Sequence, residues 1–426
     1  MACQEIWIRV AIANPMAHAR HPVLEVIAAR VICLLAVLLL AGCATPRRPA
    51  PPDRFSVAAP VGFPATVRSL GSDRRFFVTH LDELRRRVGA ASGGGPFNIL
   101  ALSGGGAGGA FGAGALVGLG RRGALPQFAV VTGVSTGALL APFAFLGPAW
   151  DQELTEAFAS ARTEHLLRWR GFGVLFRSGV YQSKPLLELV DHYVTDAMIR
   201  EVAAQYEKGR MLLVATTDLD KEETTIWDMG AIAAHGGESA RTLFRDVLVA
   251  SASIPGLFPP VLIRVSDSTG SYDEMHVDGS TSAPFFFTWE VAEVLAIDAA
   301  ELKNANLYII INGQLGTTPQ TTRDKTFVVL RRSFSAQLMH ALRATLERGV
   351  EFARIYGMNL KFARIPVEYP YRGPLNFKPE AMQALFNYAA GCAAGGKLWT
   401  TAEQALARTE RTMLPGSCPG EPVGSE

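Results

Sequence analysis

The chain has 426 residues, 49% of them hydrophobic, with 41 basic and 39 acidic residues and a formal charge of +2. That length accommodates one large domain or two smaller ones, each with a sizeable core. No long basic block stands out, which argues against nucleic acid as a partner, because binding a phosphate backbone needs a concentrated basic surface.

A mildly basic segment with Arg20 and Arg30 leads into an apolar run from Val31 to Leu40, ending Leu40-Ala41-Gly42-Cys43. The run is too short for an ordinary membrane-spanning helix and suits a secretory signal core. Its end resembles the bacterial lipoprotein signal, which implies cleavage before Cys43 and lipidation of that cysteine; a plain signal peptide or a buried apolar helix is the alternative. Met16 is an alternative start, so residues 1–42 are read as a signal peptide with extra N-terminal residues. The implied location is the bacterial cell envelope, lipid-anchored, at the outer membrane facing the periplasm. Removal of Cys3 and Cys33 leaves Cys392 and Cys418 as candidates for a disulfide closing the C-terminal tail, with two free thiols as the alternative. Residues 43–70, crowded with Pro46, Pro49, Pro51, Pro52, Pro60 and Pro64, read as the lipidated N-terminus and a flexible tether.

Ser72 to Gly89 mixes Phe76, Phe77, Leu81, Leu84 and Val88 with charges, as a surface helix would. The apolar run Phe97 to Leu102 predicts a short buried strand, followed by the glycine cluster Gly104-Gly105-Gly106-Ala107-Gly108-Gly109 and a helix to Leu119. A second strand, Phe128 to Thr132, leads into Gly133-Val134-Ser135-Thr136-Gly137 and another helix. Strand, turn, helix, strand, turn, helix is a unit for parallel pairing. Asp151 to Tyr206 has a mostly helical pattern, broken by Arg170 to Gly179, whose apolar side chains suit either an acyl-binding groove or a core-filling loop. Strands are expected at Arg210 to Thr217, Glu223 to Asp228, Val261 to Val265, Met275 to Ser280 and Leu307 to Gly313. A helix ending before Pro255, an amphipathic helix from Arg331 to Val350 and a helix from Pro379 to Ala390 complete the pattern, with an extended, proline-punctuated stretch at Phe362 to Tyr371. The end beyond Pro415 reads as loose.

Chemistry concentrates on Ser135. The flanking Gly133 and Gly137 permit a cramped strand-to-helix turn that projects the hydroxyl, and the following helix offers free amides and the positive end of its dipole. The glycine cluster supplies a second source of oxyanion donors. A dinucleotide site is disfavoured because the strand Phe128 to Thr132 lacks a ribose-binding acid, and a phosphate cradle because no Gly-Lys-Ser/Thr occurs in the cluster. Serine needs a base, and Asp278, followed by Gly279, is the preferred candidate; a turn-capping aspartate is the alternative. His340 stands in the order of a Ser-Asp-His triad but lies opposite the apolar stripe of its helix; His276, two positions before Asp278, is a neighbour on the same strand face. No CxxC pair, His-Glu-x-x-His or EF-hand pattern occurs, so no metal and no cofactor is expected.

Together these motifs resemble the patatin-like phospholipase family, across about Asn98 to Asn312. The family's glycine-rich oxyanion loop matches Gly104 to Gly109, its nucleophile elbow matches Gly133 to Gly137, and its Asp-Gly motif matches Asp278-Gly279. The stretch Ala250 to Pro260 resembles the family's proline-containing approach to the site. The resemblance implies a three-layer α/β/α fold with a mostly parallel central sheet and a catalytic domain at 71–365. A C-terminal extension packs on it at 366–426. It also implies a Ser135-Asp278 dyad, an oxyanion hole at Gly104, Gly105, Gly106 and Ala107, and motif support from Gly109, Gly133, Gly137 and Gly279. Phospholipase A or lysophospholipase activity follows, with a lipid or other acyl-ester substrate as partner. A small-ester esterase, a thioesterase and a noncatalytic envelope lipoprotein are the alternatives. Two positions depart from the family: Gly108, where Arg or Lys is common, and Ser280, where Gly or Ala is usual.

Overall fold

The computed structural model describes residues 47–51, 58–70, 86–87, 89–90, 97–160, 167, 178–287, 302–316, 319, 321–401 and 417–421. The signal segment, Cys43, most of the helix expected at Ser72 to Gly89 and most of Arg170 to Gly179 lie outside the described residues. The chain divides between Arg48 and Pro49, and the fold below belongs to the unit Pro49–Glu426.

Ten strands form one sheet: β1 (Ala59–Pro60), β2 (Arg68–Leu70), β3 (Asn98–Leu102), β4 (Val130–Val134), β5 (Met211–Asp218), β6 (Glu223–Asp228), β7 (Val261–Ser266), β8 (Ser271–Asp278), β9 (Asn306–Ile311) and β10 (Asn359–Arg364). The order is β1-β7-β8-β5-β4-β3-β9-β10, with β6 on β5 and β2 on β6. The parallel pairing expected from the sequence holds for β10-β9-β3-β4-β5. The pairs β5-β6, β5-β8, β7-β8, β1-β7 and β2-β6 are antiparallel, so the sheet as a whole is mixed. Short turns are the reason: four residues join β5 to β6 and four join β7 to β8, too few for the crossover a parallel pair requires.

Helices cover both faces. In chain order they are α1 (Gly109–Arg121), α2 (Thr136–Leu146), α3 (Asp151–Ala159), α4 (Lys184–Tyr193), α5 (Asp196–Glu207), α6 (Met229–His235), α7 (Gly237–Ser251), α8 (Thr326–Tyr356) and α9 (Pro379–Ala394). Alternate residues of β3, β4, β5 and β9 enter two separate cores. Leu100, Leu102, Val131, Leu212, Val214 and Ile310 pack with the helices of one face. Ile99, Ala101, Val130, Leu213, Ala215 and Ile309 pack with Phe285 to Phe287 and, from α8, Leu342, Leu346 and Phe352. Burial on both faces explains why these strands read as continuous apolar runs.

One expected boundary moves. Ala59 to Leu70 is not tether: β1 pairs with β7, β2 pairs with β6, Phe63 and Val67 enter the core, and the Arg68 guanidinium meets the buried Glu274 carboxylate. Pro60 is tolerated because β1 is an edge strand. The described residues beyond 366 lie in the same unit. Cys392 and Cys418 are joined by a disulfide. Residues 417–421, read from the sequence as loose, are held by that bond and by hydrogen bonds from Gly420 N to Lys397 O and from Thr400 Oγ1 to Pro419 O.

Helix α9 packs on α1 at backbone distance. An ideal Cβ on Gly114 would lie 2.1 Å from Phe386 O, and one on Gly118 2.4 Å from Ala390 O. Gly391 of α9, by contrast, faces open space. Gly114→Ala should therefore lower the melting temperature, because overpacking costs about 1–3 kcal/mol and outweighs the helix-propensity gain. Gly391→Ala should raise it by the uncompensated propensity gain of up to about 1 kcal/mol. Thermal unfolding followed by circular dichroism checks both signs.

Candidate active site

The meeting of Ser135 with Asp278 follows from how β5 is shared. Strand β6 occupies one edge of β5, pairing with Leu213 to Asp218. On the other edge β4 covers Met211 to Ala215 and stops at Val134, opposite Ala215. Strand β8 then takes Thr216 to Asp218 on that same edge, running the opposite way, with Asp278 opposite Thr216. The C-terminal ends of β4 and β8 thus abut along one strand, and the next residue after β4 is Ser135. Its Oγ donates to Asp278 Oδ2 at 2.5 Å, and both side chains are buried.

Ser135 sits at φ 55°, ψ −125°, a conformation that a non-glycine residue rarely adopts and that turns its side chain out of the strand at the start of α2. Ser251, the last residue of α7, braces this strained turn: its Oγ accepts from Ser135 N at 2.9 Å and donates to Ala215 O at 2.7 Å. Gly137 lets the elbow lie against β3, since a Cβ there would be 2.3 Å from Leu102 O.

Asp278 Oδ1 accepts the Ser280 amide at 2.8 Å. Burial pushes its carboxyl up to about 6, against the lowering contributions of Ser135 and Ser280. The folded chain therefore holds a proton on Asp278 more tightly than the unfolded chain. That contribution to stability is present at low pH and is lost as pH rises from the ordinary carboxylate range through about 6. Ser280 Oγ is buried without a hydrogen-bond partner among the described residues. An ideal Cβ on Gly104 would lie 2.2 Å from Ser280 Oγ and 3.1 Å from Ser135 Cβ. Gly104 thus leaves the space in which that hydroxyl and the serine stand together.

The glycine loop is narrower in function than the motif suggested. Gly104 N donates to Pro284 O at 2.9 Å and Ala107 N to Pro374 O at 2.8 Å, so neither amide is free for an oxyanion. Gly105 N and Gly106 N donate to no protein acceptor among the described residues. Thr136 N, the first amide of α2, has no acceptor within its helix. Asn312 sets the loop: its Nδ2 donates to Ser103 O, its Oδ1 accepts from Gly112 N, and its backbone N donates to Ser103 Oγ. Tyr371 OH donates to Gly105 O. Ser251, Ser103, Asn312 and Tyr371 were not legible as site residues; only the position of Asn312 at the end of a core strand hinted at one. A side chain at Gly108 would start 2.0 Å from Asn312 O and 2.9 Å from Tyr371 OH, so this loop cannot carry the cation common there in the family.

An apolar cavity of about 80 Å³ opens from Ser135, Thr136 and Gly106 and runs between Leu139, Phe143, Phe158, Val190, Met198 and Phe258. Phe258 in its wall directly follows a short pairing in which Val180 N and Tyr181 N donate to Gly256 O and Leu257 O.

The histidines do not join the pair. His340 is exposed on α8. His276 is fully buried, with Nδ1 3.0 Å from Thr216 Oγ1, Nε2 3.4 Å from Glu274 Oε2, and its ring against Trp227. Asp218, Glu274 and His276 bring potential ligand atoms within 4.8 Å of one another. Lys221 Nζ lies 2.9 Å from both Asp218 Oδ2 and Glu274 Oε1, and Arg68 also pairs with Glu274. Two protein cations already neutralise the two carboxylates, so the cluster fits an internal ion network rather than a metal site. Although burial raises it, Glu274 is held well below the usual carboxylate range by His276, Arg68 and Lys221.

A serine hydroxyl on a strained elbow, a buried carboxylate as its sole partner among the described residues, free loop amides and an apolar cavity in an α/β fold define a serine acyl hydrolase. Residues 100–288 match the family model described as patatin-like phospholipase; with the Ser135–Asp278 pair, the match makes the protein a hydrolase acting on lipid esters. Among solved structures, VipD from Legionella pneumophila is 14% identical with a TM-score of 0.35, over 71% of this chain and 67% of that one. The human GIVD cytosolic phospholipase A2 is 10% identical with a TM-score of 0.29, over 70% and 52%. No curated protein matches the chain. The assignment rests on the family match and on the geometry.

A base must be ionised to accept a proton, so kcat/KM on a soluble ester should fall with decreasing pH through about 6 and reach a plateau above it. A pH–rate profile with its acid limb at the ordinary carboxylate value would contradict this placement of Asp278.

Proposed function

We propose that the protein is a phospholipase A or lysophospholipase that works through Ser135 and Asp278. The observation that carries this reading is the 2.5 Å hydrogen bond between the two side chains at the mouth of an apolar cavity. Asp278 takes the Ser135 proton as Oγ attacks the ester carbonyl. The amides of Gly105, Gly106 and Thr136 receive the developing oxyanion, a contribution worth on the order of 100- to 1000-fold in rate per well-placed donor. The protonated Asp278 then gives its proton to the departing alcohol. Water, taken up beside Asp278 and the unpartnered Ser280 hydroxyl, attacks the acyl-enzyme with Asp278 again as base. The acyl chain lies in the apolar cavity, whose walls exclude water and favour an aliphatic chain over a polar one.

Labelling by an active-site serine phosphonate tests the assignment of roles. Ser135→Ala should abolish it, Asp278→Asn should slow it by on the order of 10²- to 10⁴-fold, and His340→Ala should leave it unchanged. Labelling that survives the loss of Ser135, or depends strongly on His340, would overturn the dyad.

We further infer that the mature chain is held at the bacterial envelope by a lipid on Cys43, a reading supported by the Leu40-Ala41-Gly42-Cys43 signal. In a bacterial host, labelled palmitate should be incorporated and the protein should fractionate with membranes. Cys43→Ser should lose both, and retention of label by that variant would exclude the anchor.

A further inference from the structure

We propose that the groove lined by Arg331, Arg332 and Arg372 is the head-group site of this hydrolase, taking the phosphate of an anionic phospholipid whose ester lies at Ser135. The proposal rests on the phospholipase reading above and specifies the substrate class.

The groove is a cavity of about 660 Å³. One wall is the start of α8, with Arg331, Arg332 and Ser335; the other is the stretch 367–375, which carries Arg372. Among its lining residues Glu368 is the one carboxylate, against three guanidinium groups. Several other arginines meet acids: Arg68 meets Glu274, Arg87 meets Asp228, Arg241 and Arg245 meet Asp191, and Arg354 meets Glu351. None of the three groove arginines has an ion-pair partner among the described residues. Like charges gathered around a concave surface raise the local concentration of anions, and guanidinium forks match the oxygens of a phosphate.

Position ties the groove to the reaction. Gly105 lines the groove, and its neighbour Gly106 lines the apolar cavity with Ser135. The glycine loop therefore borders both spaces, and in this proposal an ester carbonyl bound at its free amides has the acyl cavity to one side and the cationic groove to the other. The wall is fastened to the loop by Tyr371 OH to Gly105 O and Ala107 N to Pro374 O. The loop itself has no room for a side chain at Gly108, and the cationic side chains lining the groove that Gly105 borders are those of Arg331, Arg332 and Arg372. Val329 and Leu330, 44% and 59% exposed, immediately precede Arg331. Exposed apolar side chains beside arginines suit a lipid better than a small soluble anion.

The test uses the full chain and the variant Arg331→Gln/Arg332→Gln/Arg372→Gln. Short-chain phosphatidylglycerol, kept monomeric below its micelle concentration, is compared with diacylglycerol of the same chains. The ratio of kcat/KM for the charged over the neutral substrate should fall on the order of 100-fold in the variant. It should be largely kept in the corresponding triple Lys variant, which preserves charge and controls for folding. An unchanged ratio would overturn the proposal, as would a loss seen only on vesicles, which would make the arginines a surface adhesion patch. Inhibition of the wild type by inorganic phosphate that vanishes in the variant while the ratio stays constant would assign the groove to free phosphate and also overturn it. A wild type that turns over soluble esters but neither lipid would overturn the phospholipase reading itself, and this proposal with it.

Discussion

One edge of β5 is divided between two strands that approach from opposite directions, and the site depends on that division. β4 runs parallel to β5 and ends opposite Ala215; β8 runs antiparallel and ends opposite Thr216. Because successive residues of one strand fix the two endpoints, the elbow serine and the aspartate are set by backbone hydrogen bonding rather than by a flexible loop. Preorganisation of this kind is what keeps reacting groups in productive geometry. The arrangement also explains why the sheet must be mixed: a wholly parallel sheet would bring strand starts, not a second strand end, to this point.

The same junction is electrostatically layered. Immediately beside the serine–aspartate pair, Asp218, Glu274, Lys221 and Arg68 form a buried network whose charges balance. Among the described residues no cation pairs with Asp278, and burial raises its carboxyl into the range useful for a base near neutral pH. Two aspartates on adjoining strands thus have opposite fates. Asp218 is paired and structural; Asp278 is desolvated, and among the described residues its carboxylate accepts from one hydroxyl and one amide.

The glycine loop is shaped by residues remote from it in the chain. Its shape is set from behind by Asn312 at the end of β9 and from the side by the stretch that ends at Pro374. Residues more than 200 positions apart in sequence therefore decide which loop amides remain free. Closely packed α1 and α9 carry the same dependence outward, since α9 follows that stretch and the Cys392–Cys418 bond ties the tail to it. The C-terminal segment is in this sense part of the site's scaffold.

The sequence by itself determined the local elements and the reacting groups. Apolar runs marked β3, β4, β5 and β9 because strands buried on both faces must be apolar throughout, and Gly-x-Ser-x-Gly and Asp-Gly marked Ser135 and Asp278 because cramped turns demand small neighbours. The ordered set of motifs pointed to the family. Only the tertiary structure decided which pairings are antiparallel, that residues 59–70 belong to the sheet, that Gly104 and Ala107 spend their amides on Pro284 and Pro374, and that Cys392 meets Cys418. It also brought Arg331, Arg332 and Arg372 to one groove beside Gly105. Those facts depend on partners remote in the chain, and a pattern within a few residues carries the preference of a segment but not the identity of what it will meet.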